Sequence, residues 1–197
     1  MTSLESYLKG FKSDNLYLIG PFAQNAKYQE PVLFIDAGVK YRKKAMGISI
    51  GDGDSSSPQQ MDILLPERKN ESDLEAAFRL LPQFYKHYFM QGFLGGRRDQ
   101  EWLSIFSGFE YFQQHQISAC AHFDSEVLLL SNAKHCMEHQ GVFSILCLGK
   151  QDHLRVHGEV EYAIYNNLKS FSSHGLSNIA YGKVNIEVQG QILIFRN

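Results

Sequence analysis

Near residue 120 the hydrophobic pattern of this chain changes its period, and one layer architecture cannot satisfy both halves. Before that point short apolar runs, Leu16-Tyr17-Leu18-Ile19, Val32-Leu33-Phe34-Ile35 and Ile48-Ser49-Ile50, end in Gly or Asp and read as buried strands. A further run at 88–93 precedes Gly95-Gly96-Arg97-Arg98-Asp99-Gln100. Between the runs lie helical patterns. Ser72 and Glu75 have capping-box spacing, with Leu74, Ala77, Phe78 and Leu81 on one face. Trp102, Ile105, Phe106, Phe109 and Phe112 recur at helical spacing and are assigned to packing, and the basic stretch 39–46 is expected to be helical. Strands alternating with helices predict a mostly parallel sheet, whose ligands gather at the carboxyl ends of its strands.

After residue 120 the helical period is lost. The runs at 127–130, 142–148, 154–156 and 162–164 are separated by polar or glycine turns. Val184, Ile186 and Val188 alternate, Gln189-Gly190 offers a turn, and Ile192 and Ile194 resume the alternation, so a terminal hairpin is expected. The predicted fold class is therefore α/β, with a mostly parallel, Rossmann-like sheet domain over 1–120 and a smaller all-β domain over 121–197.

Charge narrows the partners. With 19 Lys+Arg against 21 Asp+Glu the net charge is -2, which gives no global basic field for nucleic acid or an anionic membrane. No run of about 18 apolar residues occurs, and the first thirty residues carry charges instead of an export signal's apolar core. The three cysteines, Cys120, Cys136 and Cys147, include no CxxC pair and are expected to be reduced thiols of a cytoplasmic protein. A small-molecule substrate fits this balance.

Four carboxylates stand out by position. Asp52 and Asp54 lie in the Gly51-Asp52-Gly53-Asp54-Ser55 turn after a strand, Asp73 starts a helix, and Asp99 lies in the glycine-rich turn before another. Each alone has a structural reading as turn former or helix-dipole partner. Brought to one cleft they would repel, and a hard divalent cation such as Mg2+ would relieve them while leaving room for phosphate oxygens. Lys69 and Arg97 stand beside two of these acidic segments and could grip a polyphosphate. Neither GxxxxGK[ST] nor GxGxxG is present, which sets aside P-loop and standard dinucleotide binding. His122, His135, Cys136 and His139 match no standard zinc spacing and are read as surface or packing residues.

The ordered set Ile35-Asp36-Ala37-Gly38, Gly51 to Ser55, Lys69-Asn70-Glu71-Ser72-Asp73-Leu74-Glu75 and Gly95 to Gln100 resembles the thiamine pyrophosphokinase family. The resemblance extends to Phe143-Ser144-Ile145, the 158–162 segment and Ser177-Asn178, and so covers most of the chain after residue 30. It implies an α/β catalytic domain, a β-sandwich domain and a homodimer with active sites where the subunits meet. It also implies transfer of pyrophosphate from Mg-ATP to the hydroxyl of thiamine, releasing AMP. Carried over by residue, Asp52, Asp54 and Asp73 would hold Mg2+, with Asp99 beside the transferred phosphates, and Lys69, Arg97 and Gln100 would contact the substrate. Asp36 would touch the nucleotide, and Tyr162, Ser177 and Asn178 would hold the thiamine rings. Ala37 stands where the family usually has a glycine, and the approach to the acidic turn at 46–50 is shortened. Those departures keep two other readings open: a different heterocyclic alcohol as acceptor, or a silent protein that binds thiamine or a nucleotide.

Overall fold

The computed structural model describes residues 4–43 and 46–196. The chain divides into two compact units, Met1–Tyr111 and Phe112–Asn197.

In the first unit, β1 (Asn15–Ile19), β2 (Val32–Ile35), β3 (Ile48–Gly51), β4 (Ile63–Leu64) and β5 (His87–Gln91) stand in the order β4-β3-β2-β1-β5. Every ladder among them is parallel. β2 and β3 are buried at each position, as expected of parallel strands covered on both faces. The chain steps outward from β1 to β4 and then returns to the opposite edge of β1, so the order reverses beside β1. Short helices α1 (Leu4–Lys9) and α2 (Asp73–Leu80) belong to this unit, and α3 (Arg98–Gln114) starts in it and continues past its last residue, Tyr111.

The capping box of α2 forms as the spacing predicts. The Glu75 amide donates to Ser72 Oγ at 3.2 Å, and the Ser72 amide donates to Glu75 Oε2 at 2.7 Å. The stretch expected to be helical at 39–46 is instead a 3-10 turn over Asp36–Tyr41, with Lys44 and Ala45 lying outside the described residues. The packing assignment along α3 is corrected in part. Ile105, Tyr111 and Phe112 are buried, but Trp102 and Phe106 are 41% and 42% exposed and stack on each other. A run of aromatics at helical spacing covers more than one face, and only the contacts decide which face is inside.

In the second unit, β6 (Ala119–Phe123), β7 (Val127–Ser131), β8 (Lys134–Leu146), β9 (His153–Val160), β10 (Asn178–Gln189) and β11 (Gln191–Arg196) form one ladder, β6-β7-β11-β8-β10-β9. All of its pairings are antiparallel. The expectation of a mostly parallel sheet is thereby corrected at the level of the chain. Among the described residues, the ladders within the first unit are parallel and those within the second antiparallel, and the strands as a whole are mostly antiparallel. β7 and β10 approach within 8 Å although two strands separate them in the ladder. A flat sheet would hold them about 14 Å apart. The sheet therefore curls, and residues of all six strands, among them Cys120, Leu130, Phe143, Val156, Val184 and Ile194, share one core.

The expected terminal hairpin does not form. β10 and β11 are joined through Gly190, with φ of 113°, but β8 lies between them and pairs with both. Alternation reveals which face of a strand is apolar and is silent about its partner. Among the described residues, no helix is long and apolar enough to cross a membrane.

Candidate active site

The acidic residues of the first unit sit where parallel strands stop. β2 runs directly into Asp36 and β3 into Asp52, and their pairing in register, Ile35 beside Ile50, sets the two strand ends together. Gly51 permits this approach, because a Cβ there would come within 3.0 Å of the Asp36 Cα. Gly38 is also sterically required, since a Cβ would lie 2.0 Å from the carbonyl oxygen of Ile19. The glycine that the backbone needs is thus retained next to Ala37. Asp73 is the first residue of α2, held there by the Ser72 cap.

Asp36, Asp52 and Asp73 offer carboxylate oxygens that all lie within 4.8 Å of one another. Lys69 closes the group. Its Nζ donates to Asp52 Oδ2 at 2.6 Å and lies 2.7 Å from Asp73 Oδ1. Asp36 has φ of 50°, a left-handed conformation uncommon for a residue with a side chain, and strain of this kind collects at functional sites. Its Oδ1 is buried without a hydrogen-bond partner.

These surroundings separate the acids electrostatically. Burial pushes Asp36 above the usual carboxylate range, the charges of Asp54 and Asp52 push it further, and the Ala37 amide and Ser55 hydroxyl oppose this only in part. Asp73 is also raised, first by burial and then by Asp52 and Asp36, against the pull of Lys69. Burial acts upward on Asp52 too, but hydrogen bonds from Lys69 and from the Asp54 amide outweigh it and leave this acid low. Lys69 is raised: burial works against its charge, but the two aspartates it bridges more than compensate. Such a set of crowded oxygen donors suits a hard divalent cation, and the partnerless Asp36 oxygen is a ready ligand atom.

The other expected site residues are placed differently. Asp54 is exposed and lies outside the 4.8 Å group, with its amide donating to Asp52 Oδ1 at 3.2 Å and its carboxylate accepting from Ser55 Oγ. Asp99 is exposed and also outside the group, paired with Arg97 in the turn that opens α3. Gln100 is exposed, its amide donating to the Arg97 carbonyl at 3.0 Å. Asp36 was expected to touch nucleotide only, and its place among the crowded acids was not foreseen. The readable signal was that two apolar runs, one followed by Asp36 and the other by Gly51-Asp52, could be neighbouring parallel strands.

In the second unit Asn178 is 4% exposed and clamps the backbone of Tyr162. Its Oδ1 accepts from the Tyr162 amide at 3.0 Å and its Nδ2 donates to the Tyr162 carbonyl at 2.7 Å. The Tyr162 ring is left exposed. Ser177 adopts φ of 57°, with its amide donating to Ser144 Oγ. The His122 ring meets His135 at 5.9 Å, while exposed Cys136, the next residue on β8, points to the opposite face of the strand.

No protein-family model matches the chain, and no curated protein does. Solved structures do. The thiamine pyrophosphokinase from Bacillus subtilis superposes with a TM-score of 0.68 at 15% identity, over 93% of this chain and 98% of that one. A thiamin pyrophosphokinase family protein from Enterococcus faecalis gives 0.67 at 18% identity, over 93% and 99%. Thiamin pyrophosphokinase from Candida albicans gives 0.68 at 13% identity, over 95% and 89%. The chain therefore has the fold of the thiamine pyrophosphokinases along nearly its whole length, in divergent sequence.

Proposed function

We propose that this chain is a thiamine pyrophosphokinase, transferring pyrophosphate from Mg-ATP to the hydroxyl of thiamine. The observation that carries the reading is the convergence of Asp36, Asp52 and Asp73, bridged by Lys69, at the carboxyl ends of parallel strands in this fold. In open α/β sheets, ligands bind in the crevice outside the carboxyl ends of the strands. The catalytic part would lie in residues 1–120 and the thiamine-binding part in 121–197, in a cytoplasmic homodimer.

When bound, magnesium would draw charge from the phosphate oxygens. Asp36, Asp52 and Asp73, with Asp54 beside them, would hold it. Lys69 and Arg97 would steady the polyphosphate, and Asp99 and Gln100 would flank it from the start of α3. The acceptor oxygen would bond to the β-phosphorus as the bridge to the α-phosphorus breaks, AMP leaving with the bridging oxygen and the hydroxyl proton passing to solvent. Tyr162 has an exposed ring suited to stacking on a flat cationic heterocycle, and Ser177 and Asn178 shape that region.

A second reading is a protein of this fold that binds without turnover. It draws on Arg97 and Asp99, which are solvent-exposed and neutralise each other. A third keeps the chemistry with another heterocyclic alcohol, since the Asn178 amide is already occupied by the Tyr162 backbone. Incubation with Mg-ATP, with and without thiamine, separates the three when AMP and thiamine diphosphate are both quantified. Thiamine-dependent formation of both products is the expected result. AMP formed regardless of thiamine would point to another acceptor, and no AMP would leave a binding protein.

A further inference from the structure

Among the described residues, the cation in contact with the carboxylate group is Lys69, and it uses the oxygens that a divalent ion would need. Its Nζ is 2.6 Å from Asp52 Oδ2, 2.7 Å from Asp73 Oδ1 and 3.4 Å from the carbonyl oxygen of Pro66. The ammonium group is well shielded, the side chain being 12% exposed. One positive charge faces three carboxylates and stitches two of them, leaving Asp36 Oδ1 without a partner. Lys69 is thus an internal counter-ion whose single charge leaves the three carboxylates under-neutralised.

We infer that Lys69 is a displaceable counter-ion, which holds Asp52 and Asp73 in the free protein and moves to polyphosphate oxygens when a divalent cation takes those carboxylates. The inference rests on the proposed divalent and polyphosphate site. Two cations cannot share the same shielded oxygens without strong repulsion. The lysine stem is long and flexible, and its compact ammonium finds equivalent partners in carboxylate and phosphate oxygens. A divalent ion arriving alone strips Lys69 of its partners and gives it none in return. Arriving with polyphosphate, it supplies the replacement. Lys69 thereby couples the two ligands, and the coupling is reciprocal.

The test uses the full chain and Mn2+ as the probe. In calorimetric titration with Mn2+ alone, Lys69→Met should bind about tenfold more tightly than the wild type, the repelling charge having been removed. Asp73→Asn should lose binding. Equal or weaker Mn2+ binding by a cooperatively melting Lys69→Met protein would overturn the inference. Lysine acetylation of the wild-type protein, read by mass spectrometry, needs no variant to fold. Lys69 should be protected in metal-free protein, label several-fold faster with Mn2+ alone, and be protected again when inorganic pyrophosphate is added. Labelling of Lys69 unmoved by Mn2+ sinks the inference whatever the variant does. If that happens while Mn2+ still binds through Asp73, the proposed site survives and Lys69 displacement alone falls. If Mn2+ binds neither protein, both fall.

Discussion

Two acidic segments of the first unit carry the same residue types and end up in opposite physical states. At the ends of β2 and β3 and the start of α2, Asp36, Asp52 and Asp73 are crowded, shielded and bridged by Lys69. In the 95–100 turn, Arg97 and Asp99 pair in open solvent. Exposed pairs of that kind contribute little and are screened by salt, whereas shielded charges shift one another's ionisation and determine what can bind. Position on a rigid element therefore counts for more than the presence of a carboxylate. The crowded group has its electrostatics arranged before any ligand arrives, and the turn must acquire its role from contacts made later.

The comparison breaks most readily through turnover. Asp73→Asn should lower the rate of AMP formation by about 10²–10³-fold, on the scale of removing one preorganised electrostatic partner, while Asp99→Asn should cost roughly tenfold or less in the same steady-state assay. Equal losses would mean that the turn is as well organised as the strand ends. Next in size is Gly38→Ala, whose methyl group would meet the Ile19 carbonyl at 2.0 Å. It should destabilise the first unit by roughly 3 kcal/mol, measured by urea titration.

A smaller effect has the opposite sign. Burial raises Asp36, so the folded protein holds that proton more tightly than the unfolded chain does, and stability is lost as pH rises from the unfolded aspartate value through the raised one. Asp36→Asn removes this cost and suits a left-handed backbone. Without metal it should melt a few degrees higher than wild type at neutral pH, the difference vanishing below about pH 4. Asp52 runs the other way. Its lowered value stabilises the folded protein above the unfolded aspartate value, and that contribution disappears as pH falls through the folded one. A melting curve of Asp52→Asn against pH should therefore fall below wild type at neutral pH and converge with it in acid. The smallest change is expected from Arg97→Ala, which removes an exposed pair and should leave the melting temperature within error in differential scanning calorimetry.

Much of the fold was legible because it is local. Buried runs such as Val32 to Ile35, the Ser72–Glu75 capping box and the alternation of Val184, Ile186 and Val188 are each written in consecutive residues, and each forms as read. Parts of the candidate site were legible for the same reason, since a strand that runs into Asp52 and a cap that precedes Asp73 place both acids at element ends. The aromatic series in α3 was less so. Helical spacing identified the helix, yet Trp102 and Phe106 face outward because packing, which lies outside the period, chooses the buried stripe.

By itself, then, the sequence determined the change from strand–helix alternation to strands alone, the cap of α2, and the placing of carboxylates at the ends of elements. These follow from backbone sterics and side-chain period, which act over a few residues. Tertiary structure alone decided that β8 separates β10 from β11, that antiparallel pairing outweighs parallel, and that Asp36 joins Asp52 and Asp73 under Lys69. Strand partners and charge clusters arise from segments far apart in the chain. Their energies depend on distance and shielding, which exist only after the chain has folded.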